Sequence, residues 1–297
     1  MSPLSRRHFL SILAIPQSSN PGNKMRLSLS VRVAESFSDK TKTTLTLDQL
    51  LEIAKRTPYQ ALCMRASQGG IHTPQDQIRE MARTIRAAGL PVSMVTGDFA
   101  VPSNNEDGPK CLRNITPYLD LAATFGSSLI RICMKKEEDI VWAQRASDEA
   151  RERKIRLAHQ SHCASLFETV SGSLDVLRRV NRPNFGIIYE PANWLISAQD
   201  YGPETIKKLQ PWLMNVYVQN HLLRPEGKAF VETWTRGRVP LDHIGLWEKG
   251  GVHFERVFEG LHAIGYSGYV TVHQAFAEIM TPAAAARRSY DYLKPLL

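Results

Sequence analysis

The chain has 297 residues, 43% of them hydrophobic and 22% charged, which suits one large folded domain with a substantial core. No apolar run approaches the ~18 residues a membrane helix needs, so no membrane domain is expected. The net charge of +8 reads first as a solvated basic face and second as attraction for an anionic sugar, and not as a nucleic-acid surface, because Arg145, Arg151, Arg153, Lys154 and Arg156 are scattered over amphipathic helices and no basic run occurs.

The N-terminus carries Ser5-Arg6-Arg7-His8-Phe9-Leu10, a twin-arginine export pattern, followed by the short apolar stretch Ser11–Ile15. No A-x-A-like cleavage site follows. Residues 1–23 are therefore set outside the fold, as a twin-arginine-like signal or a disordered extension. Export to the periplasm is the first expectation. The alternative is a cytoplasmic protein whose translation starts at Met25, directly before the first strand. Cys63, Cys111, Cys133 and Cys163 form no C-x-x-C pair and are too sparse for a disulfide framework.

From residue 25 strands and helices alternate. Met25–Val33 is an apolar strand. Leu45–Arg56 has Leu47, Leu50, Leu51 and Ala54 at helical spacing, with Thr46 as its cap. Tyr59–Ala66 is the second strand. The helix Thr73–Ala88 opens with Pro74 and ends at Gly89. Leu90–Thr96 is the third strand, and the helix Lys110–Phe125 is closed by Gly126. Ser128–Met134 is the fourth strand and Glu137–Lys154 its helix. Ile155–His162 and Phe185–Glu190 are the fifth and sixth strands. The helix Leu166–Val180 lies between them, interrupted around Gly172. A short helix, Pro203–Gln210, precedes the seventh strand, Leu213–Leu222. Residues 224–251 form a long polar excursion, a lid or a subunit contact. The helix Val252–Ile264, the eighth strand Tyr269–His273 and the helix Pro282–Leu293 complete the chain. Eight such units over residues 25–297 predict a single α/β domain, a (β/α)8 TIM barrel. An open doubly wound sheet would carry G-x-G-x-x-G after its first strand. None occurs, and no nucleotide cofactor is expected.

Barrel active sites lie at the C-terminal ends of the strands. Period-two alternation sets Gln160 with His162 on one face of the fifth strand, and Tyr217, Gln219 and His221 on one face of the seventh. With Glu190 and His273 they converge on one mouth. Imidazole, carboxylate and amide oxygen together suit a divalent metal. Arg32, Arg65 and Arg131 either grip an anionic substrate or form barrel salt bridges. Trp194, Trp212, Trp234 and Trp247 either stack on a sugar ring or pack.

These strand ends, with the tail Gly250-Gly251-Val252-His253-Phe254 through Gly265-Tyr266-Ser267-Gly268-Tyr269, resemble the sugar phosphate isomerase/epimerase family, the xylose-isomerase-like barrels. The strongest segments are Ile155–His162, Phe185–Trp194, Val216–His221 and that tail. The resemblance implies a divalent metal held by Glu, Asp, His and Glu on the last four strands. Here those positions hold Gln160, Glu190, Tyr217 (with Gln219 and His221 on the same face) and His273. One carboxylate of three remains, a set that suits Mn²⁺, Zn²⁺ or Fe²⁺ better than Mg²⁺. The resemblance further implies a sugar or sugar-phosphate isomerase or epimerase, moving a proton next to a carbonyl. The catalytic candidates are Gln160, His162, Glu190 and His273. The substrate candidates are Arg32, Arg65, Asn193, Gln219 and Trp194, and the metal candidates Glu190, His273, His221 and Gln160. A lyase or dehydratase and a non-catalytic carbohydrate-binding barrel are the alternatives. The expected partner is a small carbohydrate, with a homo-oligomer as a further expectation.

Overall fold

The computed structural model describes residues 24–297, so the twin-arginine segment lies outside the described residues. Eight parallel strands close into a barrel: β1 (Arg26–Ser30), β2 (Ala61–Arg65), β3 (Val92–Thr96), β4 (Leu129–Ile132), β5 (Arg156–Gln160), β6 (Phe185–Tyr189), β7 (Leu213–Val218) and the chain's last strand, β11 (Tyr269–Val272). β11 pairs with β1 and with β7 and so closes the ring. The predicted (β/α)8 architecture is the observed one. Among the described residues no helix is long and apolar enough to cross a membrane.

Local chemistry sets the boundaries. The helix Leu47–Arg56 starts in a reciprocal box: the Gln49 amide N–H donates to Thr46 Oγ1 at 3.3 Å, and Thr46 N–H to Gln49 Oε1 at 2.9 Å. The helix Thr116–Phe125 ends at Gly126, with φ +71, where a side chain would be strained. The predicted helix Lys110–Phe125 is two pieces, Lys110–Arg113 and Thr116–Phe125. Asn114 breaks it with a non-helical backbone (φ −145, ψ 74), and Pro117 sits in the restarted first turn, where its missing N–H costs nothing. Thr169 caps Val170–Val180 by accepting from Gly172 N–H at 3.0 Å, which explains the interruption read near Gly172.

Two differences matter for the mouth. The predicted first strand stops at Ser30, whose Oγ accepts from Arg32 N–H at 3.2 Å and starts a 3-10 turn, Val31–Ala34. That turn delivers Arg32 and Glu35 to the strand ends. The excursion after β7 is a three-stranded antiparallel sheet of β8 (Asn220–Leu223), β9 (Ala229–Thr233) and β10 (Gly237–Ile244). Its apolar face, with Val239 and Leu241, packs on Cys163 and Ile196 from the loops after β5 and β6. Further along the same strand face Phe37, after β1, stacks on His243 at 3.6 Å. The sheet therefore reaches both sides of the mouth.

One buried carboxylate anchors this sheet. Glu168 accepts from Trp234 N–H at 2.8 Å, from Thr235 N–H at 2.7 Å and from Ala164 N–H at 2.5 Å. Glu168→Ala is expected to speed amide hydrogen exchange at Ala164, Trp234 and Thr235 at least tenfold and to leave the barrel strands unchanged. Unchanged exchange at all three amides would contradict the anchoring role.

Candidate functional site

The barrel interior is layered, and the layer nearest the mouth is polar. Cys63, Met94, Leu129, Ala158, Ile188 and Tyr217 form one buried apolar cluster. Strand alternation sets Arg65, Thr96, Arg131, Gln160, Glu190 and Gln219 two residues further along the same faces. All of these but Gln219 are buried. Burying so many polar groups is costly unless partners satisfy them.

Some partners are present. Glu35 binds two guanidinium groups: Arg65 Nε donates to Oε1 at 2.7 Å and Arg32 Nη1 to Oε2 at 3.1 Å. Burial pushes the Glu35 carboxyl up, but Arg65 and Arg32 outweigh it and hold it below its ordinary value. Glu190 follows Tyr189 at the end of β6 and is fully buried. Asn193 Nδ2 donates to its Oε2 at 2.7 Å and to the Ser161 carbonyl at 2.8 Å. Gln219 lies beside the same carboxyl. Glu190 Oε1 has no hydrogen-bond partner. Burial pushes Glu190 up to about 8 against the opposing pull of Arg131, Gln219, Lys40 and Arg32.

The surroundings of Glu190 are cationic. Lys40, on the loop after β1, donates to the Pro102 carbonyl at 3.0 Å. Burial, then repulsion from Arg32, Arg65 and Arg131, lowers it to about 7. Burial likewise lowers Arg131, with Arg65 adding to the effect. Arg65 Nη1 and Arg131 Nε are buried without partners, as are Gln160 Oε1 and Thr96 Oγ1.

Burial opposes charge on the mouth histidines His273 and His162. His273 Nδ1 meets Ser30 Oγ at 3.2 Å, and its ring stacks on Tyr217 at 3.7 Å. Burial and the neighbouring Arg65 and Arg131 push it well below its ordinary value. His162 Nδ1 bonds the Cys163 carbonyl at 2.8 Å, which leaves Nε2 as its basic nitrogen. Burial and Arg131 lower it too. His159 faces outward, stacked on Phe167 at 4.3 Å.

The structure thus brings Gln160, His162, Glu190, Gln219, His273, Arg32 and Arg65 to one mouth. Three expectations are corrected. Trp194 does not face a sugar: Pro191 opens the helix Pro191–Ile196, and the indole is fully buried, edge-on to Tyr189, with Nε1 donating to the Phe167 carbonyl at 3.3 Å. Asn193 spends its amide on Glu190 and Ser161, so it positions the carboxyl instead of meeting substrate. The metal quartet of Glu190, His273, His221 and Gln160 is not assembled. His221 Nδ1 pairs with His243 Nδ1 at 3.0 Å on the small sheet. Among the described residues no three His, Cys, Asp or Glu side chains come together as an ion's ligands.

The family-implied divalent metal therefore does not fit these residues. A hard cation needs several anionic oxygens, and here one carboxyl is ringed by Arg131, Lys40 and Arg32. Lys40 and His243 also lie at the mouth and were not among the candidate site residues, and neither carried a signal in the sequence.

The sequence model of the family described as xylose isomerase-like TIM barrel matches residues 51–296. No curated protein matches the chain in sequence. Among solved structures, a D-allulose 3-epimerase from Methylomonas sp. superposes with a TM-score of 0.68 at 15% identity, over 93% of this chain and 99% of that one. The probable 3-DHS dehydratase of Bacillus anthracis gives 0.67 at 14% identity, over 91% and 99%. A xylose isomerase-like TIM barrel protein from Mycobacterium smegmatis, in complex with magnesium, gives 0.66 at 13% identity, over 92% and 96%. At these identities the likeness is one of fold.

Proposed function

The chain belongs to the xylose isomerase-like TIM barrel family, and from that premise we propose that it moves a proton next to the carbonyl of a carbohydrate held in the mouth, an isomerase- or epimerase-type reaction. The observation that carries this is Glu190: a buried carboxyl held by Asn193, with Oε1 free and its pKa near 8. An acid–base group works best when it titrates near the operating pH. Glu190 Oε1 takes the proton from the carbon beside the carbonyl. The electron pair moves to the carbonyl oxygen, where the Arg131 guanidinium meets the developing charge. Glu190 then returns the proton to the former carbonyl carbon, while the hydroxyl proton on the donor carbon passes to the former carbonyl oxygen and that carbon becomes the new carbonyl. No step uses a metal, because the donor set does not fit one.

A single acid–base carboxyl suits a proton shuttled on one face of the substrate, which is isomerisation. Epimerisation needs a second group on the opposite face, and neutral His162 is the residue present for it. The second reading is a lyase or dehydratase, in which the same enolate expels a neighbouring hydroxyl. It is favoured by the protonated fraction of Glu190 at neutral pH, which supplies a general acid. The Ser5–Leu10 pattern supports export by the twin-arginine route as part of this proposal.

Incubation in D2O with a panel of aldoses, ketoses, sugar phosphates and sugar acids tests the reading. Deuterium at a carbon next to a carbonyl is the expected result, and product analysis separates isomer from dehydrated product. No exchange with any member of the panel would overturn it.

A further inference from the structure

We infer that the mouth takes an anionic carbohydrate, with its carboxylate or phosphate oxygens on Arg65 Nη1 and Arg131 Nε, a hydroxyl on Gln160 Oε1 and the carbon that loses its proton at Glu190 Oε1. This rests on the proton-transfer reading of the same mouth and names the substrate class for it.

Several buried polar atoms at the mouth have no partner among the described residues. Arg65 Nη1 and Arg131 Nε are donors only, whereas Gln160 Oε1 accepts, as does Glu190 Oε1 when ionised. Their side chains are 2%, 3%, 2% and 0% exposed, respectively, so bulk water does not offset the loss. A ligand that meets all four carries acceptors at one end, and a hydroxyl and an acidic C–H at the other. A neutral sugar offers hydroxyls to both kinds of group, but it leaves the guanidinium charge unmatched.

Charge points the same way. Burial first, and then repulsion from Arg32, Arg65 and Arg131 on Lys40 and from Arg65 on Arg131, lowers both groups. Glu35 is shared by Arg32 and Arg65. Glu190 faces Arg131 but titrates near 8, so at neutral pH it offsets little of that charge. The excess is positive and buried, where Coulomb interactions are strong. An oxyanion relieves it, and guanidinium groups bind carboxylate and phosphate oxygens in their own plane. A divalent cation in the same place would add to the repulsion. The cationic cluster thus comes from the β1, β2 and β4 ends, and it selects for an anion.

Isothermal titration of the full chain, dialysed against chelator, uses gluconate, glucose 6-phosphate, inorganic phosphate and glucose as probes. Gluconate or glucose 6-phosphate is expected to bind at least tenfold more tightly than glucose, and inorganic phosphate to compete with it. Whichever of the two binds more tightly identifies carboxylate or phosphate as the anionic group. Arg131→Gln is expected to weaken that binding at least tenfold. Lys40→Gln, on a half-buried loop, is expected to weaken it several-fold while keeping the fold intact. Equal affinity for gluconate, glucose 6-phosphate and glucose would overturn the inference. So would anion affinity unmoved by both substitutions. Anion binding without any deuterium exchange would remove the proton-transfer reading and leave this one standing. Exchange on neutral sugars, with no anion preference, would do the reverse.

Discussion

Glu190→Gln is expected to abolish proton exchange, by about 10²–10⁴-fold as for loss of a general acid–base group, and at the same time to stabilise the folded protein. The second half follows from the sign of the pKa shift. The Glu190 carboxyl titrates near 8 in the fold, against an ordinary value of 4.5. Between those values the unfolded chain has lost a proton that the native state retains. Stability therefore falls as pH rises through the window, and the cost is absent below it. At pH 7 the cost is on the order of 2–3 kcal/mol. Glutamine keeps an acceptor for Asn193 and carries no charge at any pH. Thermal melts of the two proteins should coincide near pH 4 and separate progressively up to pH 8, the variant being the more stable. Coincident melts at pH 8, or retained exchange, would contradict the role given to this carboxyl.

Glu35→Gln is expected to do the opposite. Glu35 is the carboxylate that neutralises Arg32 and Arg65 at 3.1 and 2.7 Å, and Ser67 Oγ also donates to it, at 2.5 Å. Removing one partner of a buried ion pair leaves an uncompensated charge and typically costs about 3–5 kcal/mol. Here two guanidinium groups lose their partner. Because the folded carboxyl is held below its ordinary value, its contribution is present above about pH 4.5 and lost as pH falls through the folded value. Urea denaturation at pH 7 should show the variant destabilised by about 3 kcal/mol or more. A loss below 1 kcal/mol would mean that the pair is solvent-screened and not the support described.

The two carboxyls explain why some of the mouth was legible in the sequence. Gln160, Glu190, Gln219 and His273 close apolar strands, and strand alternation alone sends them inward and upward. Arg65 and Arg131 lie on the same inward faces, but sequence offers no way to tell a barrel ion pair from a ligand contact. The structure separates them atom by atom: Arg65 Nε is paired to Glu35 while its Nη1 is not.

What stayed hidden depends on contacts distant in sequence. Lys40 lies in the polar stretch Ser36–Thr44 and reads as a solvated loop residue; only its bond to the Pro102 carbonyl draws it in. His243 meets Phe37 and His221 only once the small antiparallel sheet has formed. That sheet was masked by its composition, since Glu226, Lys228 and Arg236 flank its strands and Glu232 and Arg238 alternate with its apolar residues. Trp194 misled for a local reason. An aromatic just past a strand end looks placed for a ligand, but Pro191 starts a helix there and turns the ring into the core. The metal quartet failed on geometry: His221 belongs to β8, beyond the barrel strand on which alternation had placed it.

The central claim is that Glu190, among cations and without a metal, moves the proton. Deuterium incorporation by chelator-treated protein, measured beside Glu190→Gln on the substrate that exchanges, tests it most directly. The account predicts that exchange survives removal of metal and disappears in the variant. Exchange that is lost with chelator and restored by a divalent ion, or that persists in Glu190→Gln, would contradict it.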